Sequence, residues 1–364
     1  MRVPVIAAAA ISPWGTGWRG LGQVLAASAA MPGAPGVPAE LPGVPTELPL
    51  ASPKARKMMS RGACLAASCL GELLRGVAWR RAECGYFLGV GASGGSLEDV
   101  IALLAASIAD GAFSLERFGD RGLAACNPLL AFQLMNNFTM CHGAILEGIG
   151  GPNAALFSRG AGTTAALIEA VHAIAGGDCE QAIAGGADCA LHPVTRAELA
   201  RDGFVARGLV PAEGAALVAL GAAGPPGATV VPGAPGGGSS AAPPIAVIEG
   251  CAIASGDARP LADAIDEAVS RAREGETLGE VDLVVIAPWG PPVAAELRAW
   301  TGANAANAAV IDSSSLGDAL AASPALAWVA ALDLLAAGRA RRALVLGAGT
   351  DGDVGAVVLS RGAA

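Results

Sequence analysis

The stretch GPNAALFSRGAGTTAALIEAVHAIAGGDCEQAIAGG, from Gly151 to Gly186, decides the fold. It predicts a short apolar strand, a tight bend over residues 158–162, an apolar helix, a Gly-Gly-Asp turn and a second strand. A strand that turns sharply into a helix commonly exposes a nucleophile, because the helix N-terminus supplies backbone N–H groups and the positive end of its dipole. The residue at this bend is Gly160, which has no side chain.

The composition predicts a large buried core. The chain has 364 residues, of which 53% are hydrophobic and only 15% are charged. That length suits two ordinary domains or one large α/β unit, and the apolar content excludes disorder. So little charge is available to cover a monomer that a buried subunit interface is expected. The net charge of −9 argues against a nucleic-acid partner, because phosphate binding needs clustered Lys and Arg.

The cysteines and the apolar segments indicate a cytoplasmic protein. None of the eight cysteines forms a CxxC pair, and most lie among Ala, Leu and Gly, as small buried residues do in a reducing compartment. We find no uninterrupted run of ~20 apolar residues, so no membrane span is expected. Neither a metal site nor a cofactor is expected.

Strand and helix patterns alternate along residues 1–220 and recur along residues 245–364. Residues 221–244 are rich in Gly, Pro, Ala and Ser without charge, and predict a linker. Two such halves predict a doubled α/β fold with helices sandwiched between sheets. Three long helices are predicted in the first half: residues 54–81, 96–112 and 127–148.

Six segments, in this order, resemble the elongating β-ketoacyl-(acyl carrier protein) synthases over nearly the whole chain. They are RVPVIAAAAISPWG, NFTMCHGAILEGIGGP, GDCEQAIAGGADCALHP, VPAEGAALVAL, SSSLGDALAASPALAWVAAL and LGAGTDGDVGAVVL. The resemblance implies the thiolase-like fold, in which two pseudo-repeated halves form a five-layered α-β-α-β-α arrangement.

The family's chemistry uses a nucleophilic Cys, two His that stabilise the enolate and oxyanion formed when malonyl loses CO₂, and a Lys. Carried over by motif, the Cys position falls on Gly160, the first His on Pro288, the second His on Asp318 and the Lys on Ser313. All four catalytic side chains are therefore replaced. The chain's three histidines lie elsewhere, and a structural role is expected for each.

A ketosynthase frame without its catalytic residues resembles the chain length factor of type II polyketide synthases. The resemblance implies a heterodimer with a catalytic ketosynthase, whose acyl tunnel this chain would shape, and an acyl carrier protein that carries the growing aromatic or polyene chain. That class typically has Gln where this chain has Gly160. Candidates to line the tunnel or the dimer interface, two roles that stay open for each residue, are Phe132, Gln133, Asn136, Asn137, Met140 and His142.

Two other functions stay open. The chain could be a decarboxylase or acyltransferase that uses Ser158, Asp318 or Cys141 with His142. It could also be a homodimeric acyl-binding scaffold, with residues 153–157 of two copies side by side in one sheet. Residues that could bind an acidic carrier protein, or simply be solvated, are Lys54, Arg56, Lys57, Arg339, Arg341 and Arg342.

Overall fold

The computed structural model describes residues 2–29, 44–92, 94–157, 161–221, 243–256, 259–273, 281–349 and 352–362. The strands in these ranges are β1 (Val3–Ser12), β2 (Gly15–Thr16), β3 (Gly85–Val90), β4 (Ile108–Ala109), β5 (Ala112–Phe113), β6 (Asn153–Phe157), β7 (Gln181–Cys189), β8 (Glu213–Gly221), β9 (Ala246–Ala254), β10 (Leu283–Pro288), β11 (Ala309–Asp312), β12 (Arg342–Ala348) and β13 (Val354–Arg361).

The α-helices in the same ranges are α1 (Leu21–Ala29), α2 (Arg61–Arg75), α3 (Leu97–Ser107), α4 (Leu115–Arg117), α5 (Leu123–Ala125), α6 (Leu130–Leu134), α7 (Phe138–Glu147), α8 (Gly162–Gly176), α9 (Pro193–Arg201), α10 (Leu261–Ala272), α11 (Pro291–Asn304) and α12 (Ser323–Ala336). The segments Pro53–Met58, Arg81–Glu83, Ser313–Leu316 and Leu320–Ala322 form 3-10 turns, and Phe118–Gly122 forms a π turn.

The two halves of the chain repeat one strand order. The first half runs β6-β3-β7-β8-β1 and the second runs β11-β10-β12-β13-β9. In each half the first three strands are parallel to one another. The fourth strand is antiparallel to the third, and the fifth is antiparallel to the fourth. The halves join where β1 pairs antiparallel with β9, with Val3 opposite Ile248.

The helices complete five layers. In the central layer, α8 and α12 each contact strands of both halves, while α2 covers the outer face of the first half and α10 and α11 cover that of the second. Every residue of α12 from Ser323 to Leu335 is buried, because this helix is apolar on all sides. The predicted α-β-α-β-α fold is confirmed. The half boundaries stay a prediction, since most of the linker lies outside the described residues.

Three helix predictions were too long. The helix predicted over residues 127–148 is broken into α6 and α7 at Met135–Asn137. Asn residues favour helix ends over helix interiors, because their side chains compete for backbone hydrogen bonds. Residues 54–81 divide into a 3-10 turn and α2, and Ser60 caps α2 by accepting from the Ala63 amide at 3.2 Å.

The third of these helices, predicted over residues 96–112, ends at Ser107. A turn follows in which Asp110 and Gly111 both have positive φ, a conformation that no helix contains. None of the described helices is long and apolar enough to cross a membrane.

Candidate functional site

The predicted site lies where parallel strands end. β6 ends at Phe157, β10 at Pro288 and β11 at Asp312. Ser158, Arg159 and Gly160 lie outside the described residues, so the place of Gly160 at a nucleophile elbow stays a prediction. Helix α8 begins at Gly162, directly after this segment, as a strand-to-helix elbow requires.

The two positions Pro288 and Ser313 are both buried in the second half. Pro288 is the last residue of β10 and lies opposite Ala348 of β12. Its side chain can neither donate nor accept a hydrogen bond. Ser313 begins the 3-10 turn after β11 and is 4% exposed. A proline and a hydroxyl cannot replace the imidazole and ammonium groups that the resemblance implies there.

Asp318, which the resemblance assigns to the second His position, is tied to the backbone around it. Its Oδ1 accepts from the Leu320 amide at 3.0 Å and from the Ser323 hydroxyl at 3.3 Å. Its own amide donates to the Val210 carbonyl at 2.7 Å. The side chain therefore holds a turn in which Leu320 has a φ of 51°, a value that residues other than glycine rarely adopt. Among the described residues, Asp318 Oδ2 is buried without a hydrogen-bond partner.

Asp188 reaches the same turn from the first half, and the sequence interpretation missed it. Its Oδ2 accepts from the Ala321 amide at 3.2 Å, and its Oδ1 accepts from the Cys189 amide at 2.7 Å. The Thr163 hydroxyl donates to the Ala321 carbonyl. The available signal was a carboxylate two residues after the Gly-Gly pair of an otherwise apolar strand.

Both carboxyls are perturbed by their surroundings. Burial raises the pKa of Asp188 to about 7, although bonds from the Cys189 and Ala321 amides lower it. Burial also raises the pKa of Asp318 to about 7, and the charge of Asp188 adds to that rise. Protonated and ionised forms of each group are therefore both populated at neutral pH.

A small cavity lies beside this turn, with a volume of about 50 Å³. That is room for roughly three water-sized groups. The lining residues are Gly91, Ala92, Phe157, Asp188, Thr195, Glu198, Leu199, Asp202, Trp289, Leu320 and Ala321. The cavity thus combines apolar walls with three carboxylates.

The histidines make structural contacts. His142 Nε2 lies 3.1 Å from the Met58 carbonyl, and His192 Nε2 lies 2.9 Å from the Gly95 carbonyl. His172 is exposed on α8. Burial lowers the pKa of His142 and raises that of the Cys141 thiol. Both shifts oppose a thiolate–imidazolium pair, so Cys141 and His142 are poorly suited to nucleophilic catalysis.

The tunnel and interface candidates occupy different environments. Phe132 is 38% exposed, whereas Met140 is 3% exposed and packs in the core between α2 and α7. Gln133 donates to the Lys57 carbonyl at 3.0 Å and accepts from the Ser96 amide at 3.0 Å. Asn136 and Asn137 form the break between α6 and α7. Their part in a tunnel or an interface stays a prediction.

The basic candidates differ in what they contact. Lys54 and Lys57 are exposed, while Arg56 donates to the Leu48 carbonyl at 2.7 Å. Arg341 lies 3.7 Å from Asp282 and Arg342 lies 2.8 Å from Glu249. Arg339 is exposed as well, so the two lysines and Arg339 offer exposed positive charge.

Most of the large exposed apolar side chains lie between residues 97 and 157. We call them the 97–157 surface; its members are Leu97, Ile101, Leu104, Ile108, Phe113, Leu115, Leu123, Phe132, Leu134, Met135, Ile145 and Phe157. β6, which ends this segment, is the terminal strand of the large sheet. A terminal strand leaves one row of backbone groups available for pairing.

Residues 39–222, just over half of the chain, match the family model of the β-ketoacyl synthase N-terminal domain. The chain belongs to the β-ketoacyl synthase family. A search of curated proteins gave no match. Within the described residues, no group of three or more His, Cys, Asp or Glu could hold a metal ion.

Solved structures of this family share the fold. The ishigamide ketosynthase/chain length factor is 23% identical, with a TM-score of 0.70 and 99% of each chain covered. The AntDE:AntF complex, a type II polyketide synthase acyl carrier protein with its ketosynthase, is 13% identical, with a TM-score of 0.72 and the same coverage. A β-ketoacyl synthase from Burkholderia phymatum STM815 is 16% identical, with a TM-score of 0.72 and 99% of each chain covered.

Proposed function

We propose that this β-ketoacyl synthase homologue is a non-catalytic, chain length factor-like subunit. It would pair with a catalytic ketosynthase in type II polyketide biosynthesis, stabilise that partner and shape its acyl tunnel. The observation that carries the proposal is the state of Asp318. At the position of the second catalytic His stands a carboxyl whose Oδ1 is committed to the Leu320 amide and the Ser323 hydroxyl.

The surface of the first half supports pairing. The 97–157 surface presents many apolar side chains, and it includes Phe157, which is 56% exposed at the end of the terminal strand β6. Exposed apolar side chains and a terminal strand are both features that protein interfaces use. Two of the similar structures are described as a ketosynthase/chain length factor and as a ketosynthase with its acyl carrier protein, which are the partners proposed for this chain.

The pairing is tested by purifying the tagged chain from its native host and measuring the mass of the complex by native mass spectrometry. We expect a one-to-one complex with a second ketosynthase-like chain that has the intact Cys/His/His set. A homodimer alone would contradict the proposal and favour the acyl-binding scaffold.

The non-catalytic role is tested on the same complex. After incubation with an acylated carrier protein, intact-mass measurement should find acyl groups on the partner chain alone. A covalent acyl group on this chain would instead favour the alternative of an enzyme that uses other residues, with Ser158 the first position to examine.

A further inference from the structure

We propose that the cavity beside Asp188 and Asp318 selects acyl groups by charge: it admits short uncharged acyl groups and excludes those that end in a carboxylate. The inference rests on the proposed function, because it assumes that carrier-bound acyl groups reach this subunit. It adds a reason why an extender unit of the malonyl type would be used only at the partner's site.

The two carboxyls meet at one short turn. Asp318 Oδ1 accepts from the Leu320 amide and Asp188 Oδ2 accepts from the next amide, that of Ala321. Leu320, Ala321 and Asp188 all line the cavity. Asp188 and Asp318 are 4% and 6% exposed, so water screens their charges poorly. Asp318 Oδ2 has no hydrogen-bond partner among the described residues.

Within the described ranges, the charged groups around the pair do not cancel its charge. From α9, Glu198 and Asp202 also line the cavity, and Asp202 is paired with the exposed Arg201 at 2.8 Å. From α2, Arg61 is committed to Glu213 of β8 at 2.6 Å. No Lys or Arg of the described ranges lines the cavity.

Two further titratable groups face Asp188 from its other side, across an adjoining cavity. They are the Cys189 thiol and the His192 ring. The thiol donates to Glu213 at 3.2 Å, and burial raises its pKa to about 12, so it adds no charge at neutral pH. The thiol therefore does not neutralise Asp188, and the His192 ring is directed to the Gly95 carbonyl.

The size and charge of the cavity define what it can take. Its volume of about 50 Å³ suits a short acyl head rather than a long chain. A malonyl group would place its carboxylate beside Asp188, Glu198 and Asp202, which line the cavity, while Asp318 is bonded to the same Leu320–Ala321 turn as Asp188. Like charges in a poorly screened site strongly oppose binding. An acetyl group has no such charge, and its methyl group fits the walls formed by Phe157 and Trp289.

The test measures binding of two probes to the purified complex after alkylation of the partner's catalytic cysteine, which blocks the partner's own acyl site. The probes are the amide analogues of acetyl-pantetheine and malonyl-pantetheine, which cannot transfer their acyl groups. A titration at pH 8, monitored by ligand-observed NMR, should give a Kd for the malonyl analogue at least ten-fold above that of the acetyl analogue. The ratio of the two Kd values should be smaller at pH 6, because both aspartates take up protons while the malonyl carboxylate stays ionised.

The variants Asp188→Asn and Asp318→Asn should each lower the ratio at pH 8 several-fold and weaken its pH dependence. Asp333→Asn is the matched control: Asp333 is also buried, but its carboxylate accepts from the Gly20 and Gln23 amides, away from this cavity. A purely structural role for the aspartates would change both affinities together and leave the ratio unaltered.

Three results would overturn the inference: equal affinity for the two probes, a ratio that neither Asn variant changes, or binding of neither probe. Native mass spectrometry of the same samples separates these failures from failure of the proposed function. A heterodimer that binds both probes equally refutes charge selection and leaves the pairing intact.

Discussion

Two buried carboxyl groups hold one turn of the fold. Asp318 and Asp188 come from different halves, and each accepts from one amide of the Leu320–Ala321 turn. The resemblance assigns a catalytic His to position 318, but Asp318 Oδ1 is occupied by the Leu320 amide and the Ser323 hydroxyl. Under the proposed function, a carboxylate at this position therefore has a structural role.

The pH dependence of stability follows from these two groups. Their folded-state pKa values of about 7 lie above the ordinary value of 3.8 for an aspartate, so the folded protein binds more protons than the unfolded chain between these values. The stabilisation is complete below pH 4 and is lost as the pH rises through 7. We expect Tm to fall between pH 5 and pH 8 by more in the wild type than in the Asp188→Asn/Asp318→Asn double variant.

For that comparison, Asp333→Asn serves as the control and should show the same change of Tm between pH 5 and pH 8 as the wild type. Scanning calorimetry across this range provides the measurement. A Tm that rises from pH 5 to pH 8, or an unchanged slope in the double variant, would show that the two carboxyls do not bind protons in the folded state as described.

The ion pair between Arg61 and Glu213 gives a second prediction, which concerns the free energy of unfolding. Arg61 binds both oxygens of the buried Glu213, at 2.8 and 2.6 Å, and also holds the carbonyl of Thr46 at 2.9 Å. Arg61→Ala would leave Glu213 ionised and unpaired, so we expect a loss on the order of 3 kcal/mol in the free energy of unfolding. Urea denaturation measures this loss.

Glu213→Gln combined with Arg61→Ala should recover part of that loss, because no unpaired charge then remains. A double variant less stable than Arg61→Ala alone would mean that the arginine acts mainly through the carbonyls of residues 44–46. Arg75→Ala is the control, since Arg75 pairs with Glu72 on the exposed surface of α2 and such pairs contribute little.

At the scale of elements, α6 and α7 are fastened to the 3-10 turn Pro53–Met58. Gln133 donates to the Lys57 carbonyl and the His142 ring bonds the Met58 carbonyl. The Phe138 ring, at the start of α7, lies edge-to-face with the Phe132 ring at 5.0 Å and tilted against the His142 ring at 5.3 Å. The 3-10 turn Pro53–Met58 carries the exposed Lys54 and Lys57. It is thus held in place by α6 and α7, which belong to the segment proposed to face the partner chain.

The contacts of Gln133 and His142 are expected to protect the amides of the turn Pro53–Met58 from hydrogen exchange. Gln133→Ala and His142→Ala should each remove about 1 kcal/mol of hydrogen-bond stabilisation. Exchange of the Ala55 and Met59 amides, which close the turn, should speed up roughly five-fold by hydrogen-exchange mass spectrometry. His172→Ala, on the exposed side of α8, should leave this exchange unchanged; equal acceleration there would contradict the local explanation.

How far the sequence predicted these elements depended on the type of signal. The two strands of the Gly151–Gly186 stretch were predicted well and correspond to β6 and β7, since their apolar runs end at glycines or polar residues that mark a boundary. Helices 54–81, 96–112 and 127–148 were predicted too long, because apolar spacing continues through breaks that Ser60, Asp110 and Asn136 impose. Asp188 was missed, since its importance depends on a turn 133 residues away in the chain.

At the scale of the whole molecule, the two halves cannot be independent units. α8 belongs to the first half and α12 to the second, yet both pack against strands of both. Each half alone would expose a face of its central helix that is apolar and buried in the intact protein. The two halves repeat each other in strand order, but they share one core that needs the whole chain.

Partner binding can be tested at this scale with charged substitutions. Phe157→Asp should abolish the native heterodimer, because it places a carboxylate beside the terminal strand in a surface proposed to be buried. Val310→Asp is the matched control, on β11 at the opposite end of the sheet, where Val310 is 37% exposed. Loss of the complex in both variants, with unchanged Tm, would refute an interface at β6.

The Asp318 contacts also bear on how this lineage can change in future. Asp318→His would leave the Leu320 amide and the Ser323 hydroxyl without their acceptor. Under the proposed function, a histidine at this position alone would therefore lower stability before it yielded any turnover. The carboxylate would then work as an evolutionary ratchet: once a catalytic position becomes part of the scaffold, selection for stability blocks the single-step route back.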